Sequence, residues 1–513
     1  MKKNIFTTTL AIALSIFGLM AQTTEFDAIR VAQSDISGTA RFMGMAGAFG
    51  ALGGDASAIH INPAGLGVYR SSELTTTFNL ATQNSNANWD GIRAHDNMTR
   101  FGFQNFGLVW SNPTMNARRG NETGLLRSNW AFSYNRLRDF NRNVTIRGNE
   151  MATSITDFYA NLTQGLPEAP FGSPNTAFRD PDIPWMSILA YQTFLIDNVS
   201  GTNWSSALFD GEMVSPRYYL DERGQWDELS ISWGGNISNT FFIGANVNFQ
   251  SIDHTIRSRY IEEFGVNENL NVLNRMHTTG TGVNFGIGII YRPIHEIRFG
   301  FSYKTPTRFS LTHNHSATMR SNLFFDQLTT NVFETPQGIY DHRVQTPGVF
   351  RASVAGIIGQ RAIISTDIVA TNFSHIRILE PNRWDGIYAD DNEAIRNTFS
   401  NSFTVKFGAE YRITNQFSVR AGFARQTPTM TTSAMKQHKI NTTRTDTEYF
   451  INQGVQYITT GFGYRGNFWY FDAALVNRSV QEYFMPFAAS NNNNSARVTT
   501  RNFDVVATVG LRF

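Results

Sequence analysis

The sequence predicts an all-β protein, a 14-stranded antiparallel transmembrane β-barrel, and three observations carry that reading. An export-type leader opens the chain. Period-two alternation of apolar residues dominates everything after about residue 74. Short and long connectors take turns along most of its length, as the two rims of a membrane barrel require.

Composition sets the frame. Of 513 residues, 16% are charged and 13% aromatic, with 42 Phe and 41 Gly. This is too aromatic for disorder and too poor in charge for an ordinary soluble enzyme. A mean hydropathy of -0.27 argues equally against a bundle of apolar helices. The absence of Cys excludes disulfides, thiolate metal sites and a cysteine nucleophile. A formal charge of +2 argues against nucleic acid as a partner. Residues 1–21 read as a signal peptide, with Lys2 and Lys3 before the apolar stretch from Ile5 to Met20 and a cleavage point at Ala21. Leu19 is the imperfect match. Removal takes two lysines and no acid, which balances the mature chain. No later segment supplies the ~18 consecutive apolar residues of a helical span.

Residues 74–513 are assigned to the barrel. In Phe241–Gln250, one face carries Phe241, Ile243, Ala245, Val247 and Phe249, and the other carries Phe242, Gly244, Asn246, Asn248 and Gln250. Phe403–Tyr411 and Phe503–Phe513 alternate in the same way, each close to the 9–11 residues of a tilted membrane strand. The same template finds Leu74–Thr82, Phe101–Trp110, Ser128–Leu137, Leu229–Ile237, Val283–Tyr291 and Ile297–Lys304. It also finds Val349–Gly356, Ala362–Ala370, Phe417–Ala424, Tyr457–Tyr464 and Phe468–Val476. From the fourth strand onward, tight turns alternate with long polar connectors at 251–282, 305–348, 371–402, 425–456 and 477–502. A soluble sandwich has no reason to keep that parity. Tyr291 with Phe299, Tyr411 with Phe417, and Tyr464 with Trp469 flank the short turns, where aromatic girdles sit.

Residues 22–73 depart from the strand pattern. A small-residue run from Gly38 to Asp55 precedes Ala56–Gly67, with apolar side chains (Phe42, Met43, Phe49, Ile59) that disfavour a solvated tail. The run, Gly54-Asp55-Ala56, and Asn62-Pro63-Ala64-Gly65-Leu66 together resemble the N-terminal signature of FadL/TodX-type outer-membrane transporters. Gly288 to Pro293 running into Arg298–Tyr303, Gly408–Tyr411 with Arg420–Phe423, and Gly461–Tyr464 leading to Asp472 extend the likeness over nearly the whole mature chain. The resemblance implies that 22–73 is a hatch plugging the barrel, with Gly54, Asp55, Asn62, Pro63, Ala64 and Gly65 as gating residues. It implies passive transport of hydrophobic compounds such as long-chain fatty acids across a Gram-negative outer membrane. Capture outside, binding in the lumen, hatch movement and sideways exit beside a kinked third strand complete the expectation. Detergent-like molecules and aromatic hydrocarbons are further expected ligands, and outer-membrane lipid surrounds the barrel. The alternative is a barrel of the same family that works as a secretion-system component, a PorV-like docking protein with a protein partner.

The third strand places Trp130, Phe132 and Tyr134 outward and Arg136 and Arg138 in the same phase. Arg facing hydrocarbon costs about 2–4 kcal/mol at the midplane and little at the interface, so the strand must end, bulge or turn its face there. Either it has reached the head groups, or a break near 135–142 opens the wall, with Tyr134, Arg136 and Arg138 as the candidate lateral opening. The longest connector, 138–228, is extracellular by parity. Its amphipathic pieces Met151–Gln164 and Trp185–Ile196 suggest either an exposed ligand-capture surface or packing over the barrel mouth. No catalytic motif is present, and no cofactor is implied. Gly44, Gly47 and Gly50 lack the strand and Lys of a phosphate loop. His313 and His315 read as surface-loop residues, Asp390, Asp391 and Glu393 as a solvated acidic loop, and His295 and His375 as too isolated for catalysis.

Overall fold

The computed structural model describes residues 24–209, 211–324, 327–380, 388–438, 442–488 and 495–513; the expected leader, 1–21, lies outside them. Fourteen strand positions make one antiparallel sheet. The first seven are β1 (Glu73–Trp89), β2 (Ile92–Pro113), β3 (Leu125–Asp139, resumed by Arg142–Arg147), β4 (Ser215–Ile237), β5 (Phe241–Phe264), β6 (Glu268–Tyr291) and β7 (Ile297–Lys304, resumed by Arg308–Phe324). The rest are β8 (Gly338–Gln345 and Val349–Ile358), β9 (Ala362–Asn372 with Arg377–Leu379), β10 (Asn401–Arg412), β11 (Phe417–Gln426), β12 (Tyr449–Arg465), β13 (Trp469–Met485) and β14 (Ala496–Arg512). β14 pairs with β1 from Glu73↔Arg512 to Asn88↔Arg497, which closes the barrel. Closure is how a sheet satisfies its backbone in lipid. Each of the fourteen expected segments falls on a strand of its own.

The lower part of the wall turns its apolar side outward. Phe249, Ile287, Phe301, Ile368, Phe407 and Val509 are all exposed. Facing inward, Ser230 Oγ donates to Asn248 Oδ1 at 2.6 Å, and Asn248 Nδ2 donates to Asn284 Oδ1 at 2.7 Å. At the rim of short turns, Phe241 stacks on Tyr291 with centroids 4.8 Å apart, and Tyr464 packs on Trp469 at 5.1 Å.

The strands continue well above this belt, and there the expected connectors are corrected. Residues 251–282 are not a loop but the upper halves of β5 and β6, paired to Phe264↔Glu268. Much of 305–348 is likewise paired strand. Polarity inverts on the way up: in β5, Ile252, Ile256, Tyr260 and Phe264 are buried, while Ser251, Asp253 and Arg257 face out. Water outside demands the reverse of what hydrocarbon demands. β2 also begins earlier than expected, because Asp90 and Gly91, both at positive φ, form a two-residue hairpin turn at the top of β1.

The N-terminal segment runs through the lumen as α1 (Glu25–Arg30), α2 (Ala40–Gly44), α3 (Ala58–Ile61) and a 3-10 turn at Pro63–Val68 before entering β1. Above the barrel, α4 (Ile155–Thr163) and α5 (Trp185–Gln192) fall within the two expected pieces. They are not exposed. Tyr159, Trp185, Met186, Ile188 and Leu189 are buried in one cluster with Tyr218, Ile256, Tyr260 and Phe264 of the strand extensions. Their apolar faces cap the mouth, so the exposed capture surface is not present in this arrangement. The expected acidic loop forms α6 (Ala389–Thr398), with Asp390 and Asp391 in its first turn, where a helix dipole favours negative charge.

Candidate functional site

The lower half of the segment is held by its own backbone. Asn62, buried, donates from Nδ2 to the Gly50 carbonyl at 2.6 Å and accepts from the Ala64 amide at 3.1 Å. It thereby caps the 3-10 turn that Pro63 opens, where a missing N–H costs nothing. Gly54, at φ +67°, donates to the Gly65 carbonyl at 3.2 Å, and a side chain on Gly65 would strike Gly53. Asp55 accepts from Thr39 Oγ1 at 2.8 Å and from the Ser57 amide at 2.9 Å, tying the two ends of 39–55 together. The structure thus brings Gly54, Asp55, Asn62, Pro63, Ala64 and Gly65 into one close-packed base.

The wall is shaped to receive that base. Gly244 lies against Pro63, Gly288 against Asn62, Gly300 against Gly50, Gly408 against Met45 and Gly422 against Ala46. A Cβ at any of these positions would collide with the segment. Wall side chains then satisfy its irregular backbone, which a buried non-repetitive chain must have. Arg298 donates to the Leu52 carbonyl at 2.8 Å, Ser302 to Ile61 at 2.7 Å and Thr459 to Gly44 at 3.0 Å; Arg351 also donates to Ile61. A charge chain closes the arrangement: Arg41 on Glu410 at 2.9 Å, Glu410 on Arg420 at 2.7 Å, Arg420 on Asp472 at 2.8 Å and Asp472 on Arg465 at 2.9 Å.

The upper half is held at its ends and loosely between them. Asp27 pairs with Arg444 at 2.6 Å, on the connector after β11, which bends down into the lumen. Asp35 pairs with Arg478 of β13 at 2.7 Å. Between the helix and the base, residues 33–37 face cavities of 100, 150 and 50 Å³. Asp35 lines all three. The 150 Å³ cavity has an apolar wall that includes Phe42, Leu137, Val349 and Tyr457. It also holds Lys406, which is buried and makes no hydrogen bond or ion pair among the described residues. Sequence reasoning missed these residues: the string Gln33-Ser34-Asp35-Ile36-Ser37 has no periodicity, and only its polar character amid apolar neighbours sets it apart.

The 50 Å³ cavity lies where the wall parts. β2 and β3 pair from Pro113↔Arg127 to Asn105↔Asn135 and no further. Above this point β2 stays with β1 up to Ile92. β3 stays with β4 through Asp139↔Gln225 and again from Arg142↔Glu222. Side chains span the separation: Arg100 of β2 meets Asp139 of β3 at 2.7 Å. Tyr134 and Arg136 sit on the outer face beside it, both donating to Asp227 Oδ1, at 2.8 and 3.1 Å. Arg138 does not share their outward phase. A β-bulge between Arg136 and Arg138 turns its guanidinium inward, where it donates to the Gln33 carbonyl at 3.0 Å.

His313 and His315 are lumen-facing and buried on β7 rather than in a surface loop, with His313 4.5 Å from the ring of His342. Among the described residues, no cluster of three metal-ligating side chains occurs. Gly44, Gly47 and Gly50 belong to the packed base, not to a phosphate loop.

Residues 228–461 match the family of outer membrane protein transport proteins (OMPP1/FadL/TodX). A FadL homologue from Pseudomonas aeruginosa shares the fold at a TM-score of 0.56 and 14% identity, covering 94% of this chain and 100% of that one. A deltaS2 mutant of the TodX monoaromatic hydrocarbon channel aligns at a TM-score of 0.52 and 11% identity, over 93% of this chain and 100% of that one. The toluene transporter TodX of Pseudomonas putida aligns at 0.49 and 11%, over 94% and 99%. No curated protein sequence matches. The match over 228–461 and the shared fold bear out the resemblance read from the sequence.

Proposed function

We propose that the protein carries hydrophobic compounds passively across the outer membrane. A solute enters beneath the capped mouth, lodges beside residues 33–37 and leaves sideways between β2 and β3. The observation that carries this reading is the separation above Asn105↔Asn135, with a cavity lined by Ser37 of the segment and Gln104 of the wall behind it. Sideways release suits the chemistry, since an apolar solute gains about 0.8 kcal/mol per CH₂ by avoiding water.

The cavities suggest which solutes. A space of about 150 Å³ is the size that accepts benzene, so by volume a ring fits the largest of the three, against its apolar side at Phe42, Leu137, Val349 and Tyr457. A long chain needs more room, which movement of 33–37 supplies by joining the three spaces. Lys406, which lies across from Asp367 but makes no hydrogen bond or ion pair among the described residues, favours an acidic head group, and long-chain fatty acids are therefore the preferred class. In this scheme the packed base around Asn62 is the fixed half of the hatch and residues 33–37 are the moving half.

The chain has no Cys, so a single cysteine can be labelled cleanly. Gln104→Cys modified with a bulky maleimide should abolish uptake of a radiolabelled fatty acid into proteoliposomes while leaving binding intact. Unchanged uptake would exclude the β2/β3 route. A purified protein that binds neither fatty acid nor toluene, and brings down a protein partner instead, would favour the secretion-system alternative.

A further inference from the structure

On the opposite side of the barrel, two neighbouring strands are interrupted at the same height. β7 breaks at 305–307 and β8 at 346–348, each around a proline, Pro306 and Pro347, which cannot donate to a ladder. β9 leaves its ladder beside them through the turn at Phe373–His375. Thr307 and Thr346 hold the breaks together, the Thr346 amide donating to the Thr307 carbonyl at 2.9 Å. The result is an outward-facing notch of 660 Å³ in the wall, within the usual range of a small-molecule site.

Its two ends differ in chemistry. The lower end is the top row of the apolar belt, in register as Tyr303↔Phe350, Phe350↔Ala370 and Ala370↔Phe403. Tyr303 and Phe350 pack at 4.5 Å, and the small Ala370 leaves a dent between Phe350 and Phe403. Aromatic side chains at this height mark the membrane interface. The upper end carries Arg377 and Arg396, both exposed and without a hydrogen bond or ion pair among the described residues. Among the described residues, no carboxylate lines the notch. Two free guanidiniums above an aromatic shelf, at the level of the outer-leaflet head groups, are complementary to a lipid with an anionic head and acyl chains. Guanidinium forks bind phosphate in a bidentate manner and are only weakly hydrated.

We propose that this notch binds one phosphate-bearing lipid of the outer leaflet, its head on Arg377 and Arg396 and a chain along Phe350 and Phe403. The site is separate from the transport route and does not depend on it, although Thr346 and Thr371 also line the 150 Å³ lumen cavity behind it.

The test is native mass spectrometry of the purified full chain, stripped with neutral detergent and then titrated with a phosphorylated lipid. Wild type should retain one lipid. R377Q/R396Q should lose about thirtyfold in affinity, at roughly a factor of five per basic residue facing an anionic lipid. Phe350→Ala should weaken retention while leaving the phosphate preference unchanged. Inorganic phosphate at equal concentration should neither bind measurably nor displace the lipid. Both arginines are exposed, and heat-modifiable migration on gels verifies that the variants fold. Equal retention by wild type and the double variant, or binding of free phosphate as tight as lipid, would overturn the proposal. So would a double variant that keeps its lipid but loses fatty-acid uptake, because the notch would then be a solute portal.

Discussion

The two halves of the N-terminal segment occupy the same lumen and are held by opposite means. From Thr39 to Tyr69, small residues meet wall glycines so closely that backbone contacts backbone, and wall side chains occupy the carbonyls the irregular chain leaves open. From Gln33 to Ser37, separate bonds are set around small cavities: the Asp35 amide donates to the Leu137 carbonyl at 2.9 Å, its carboxylate meets Arg478 at 2.7 Å, and Ser37 Oγ donates to Gln104 at 2.6 Å. Close packing forfeits many contacts with any displacement, whereas one partly solvated hydrogen bond is worth about 1 kcal/mol. In the proposed scheme, this difference makes the base an anchor and the strap above it the part that moves.

That contrast sets an order of expected effects. Arg420→Ala should be the most damaging change to the base, since it removes the buried guanidinium that links Glu410 to Asp472 and leaves each carboxylate on a single arginine, Arg41 or Arg465; a loss of about 3 kcal/mol is expected, the lower end for a broken buried pair, read as a lower urea midpoint of the folded barrel in detergent. Gly288→Leu should come next, overpacking the site of Asn62 at a cost of about 1–3 kcal/mol and exposing 38–69 to limited proteolysis. Asn62→Ala leaves the Gly50 carbonyl unpaired, and a loss of about 1–3 kcal/mol is expected, with new cleavage confined to the base. Ser37→Ala should shift the midpoint least, by about 1 kcal/mol or below, yet raise fatty-acid uptake up to about fivefold. If Ser37→Ala destabilised the barrel as much as Asn62→Ala, the division into anchor and strap would fail.

The legibility of this molecule in its sequence follows the same physical divisions. All fourteen strands were visible where hydrocarbon forces one face to be apolar, as in Phe241, Ile243, Ala245 and Val247. Their upper halves were hidden because Ile252, Ile256 and Tyr260 carry the inverted phase, and a template tuned to outward apolar residues reads them as connector. The base announced itself through Asn62-Pro63-Ala64 and its glycines, whose types are dictated by backbone close approach. Arg138 misled because a one-residue bulge flips every side chain beyond it, and no local residue type marks this bulge. The residues of the strap left no trace, since a polar string next to a void looks like any loop.

The inversion of phase along β5 and β6 acts as a waterline. Strands rise about 3.4 Å per residue, so a barrel that sank by two residues would carry Asp253 and Arg275 toward the acyl chains, and one that rose by two would lift Phe249 and Val283 out of the outer face. Both displacements are uphill, and the molecule therefore floats at one draught. A bilayer of the wrong thickness has to deform around it.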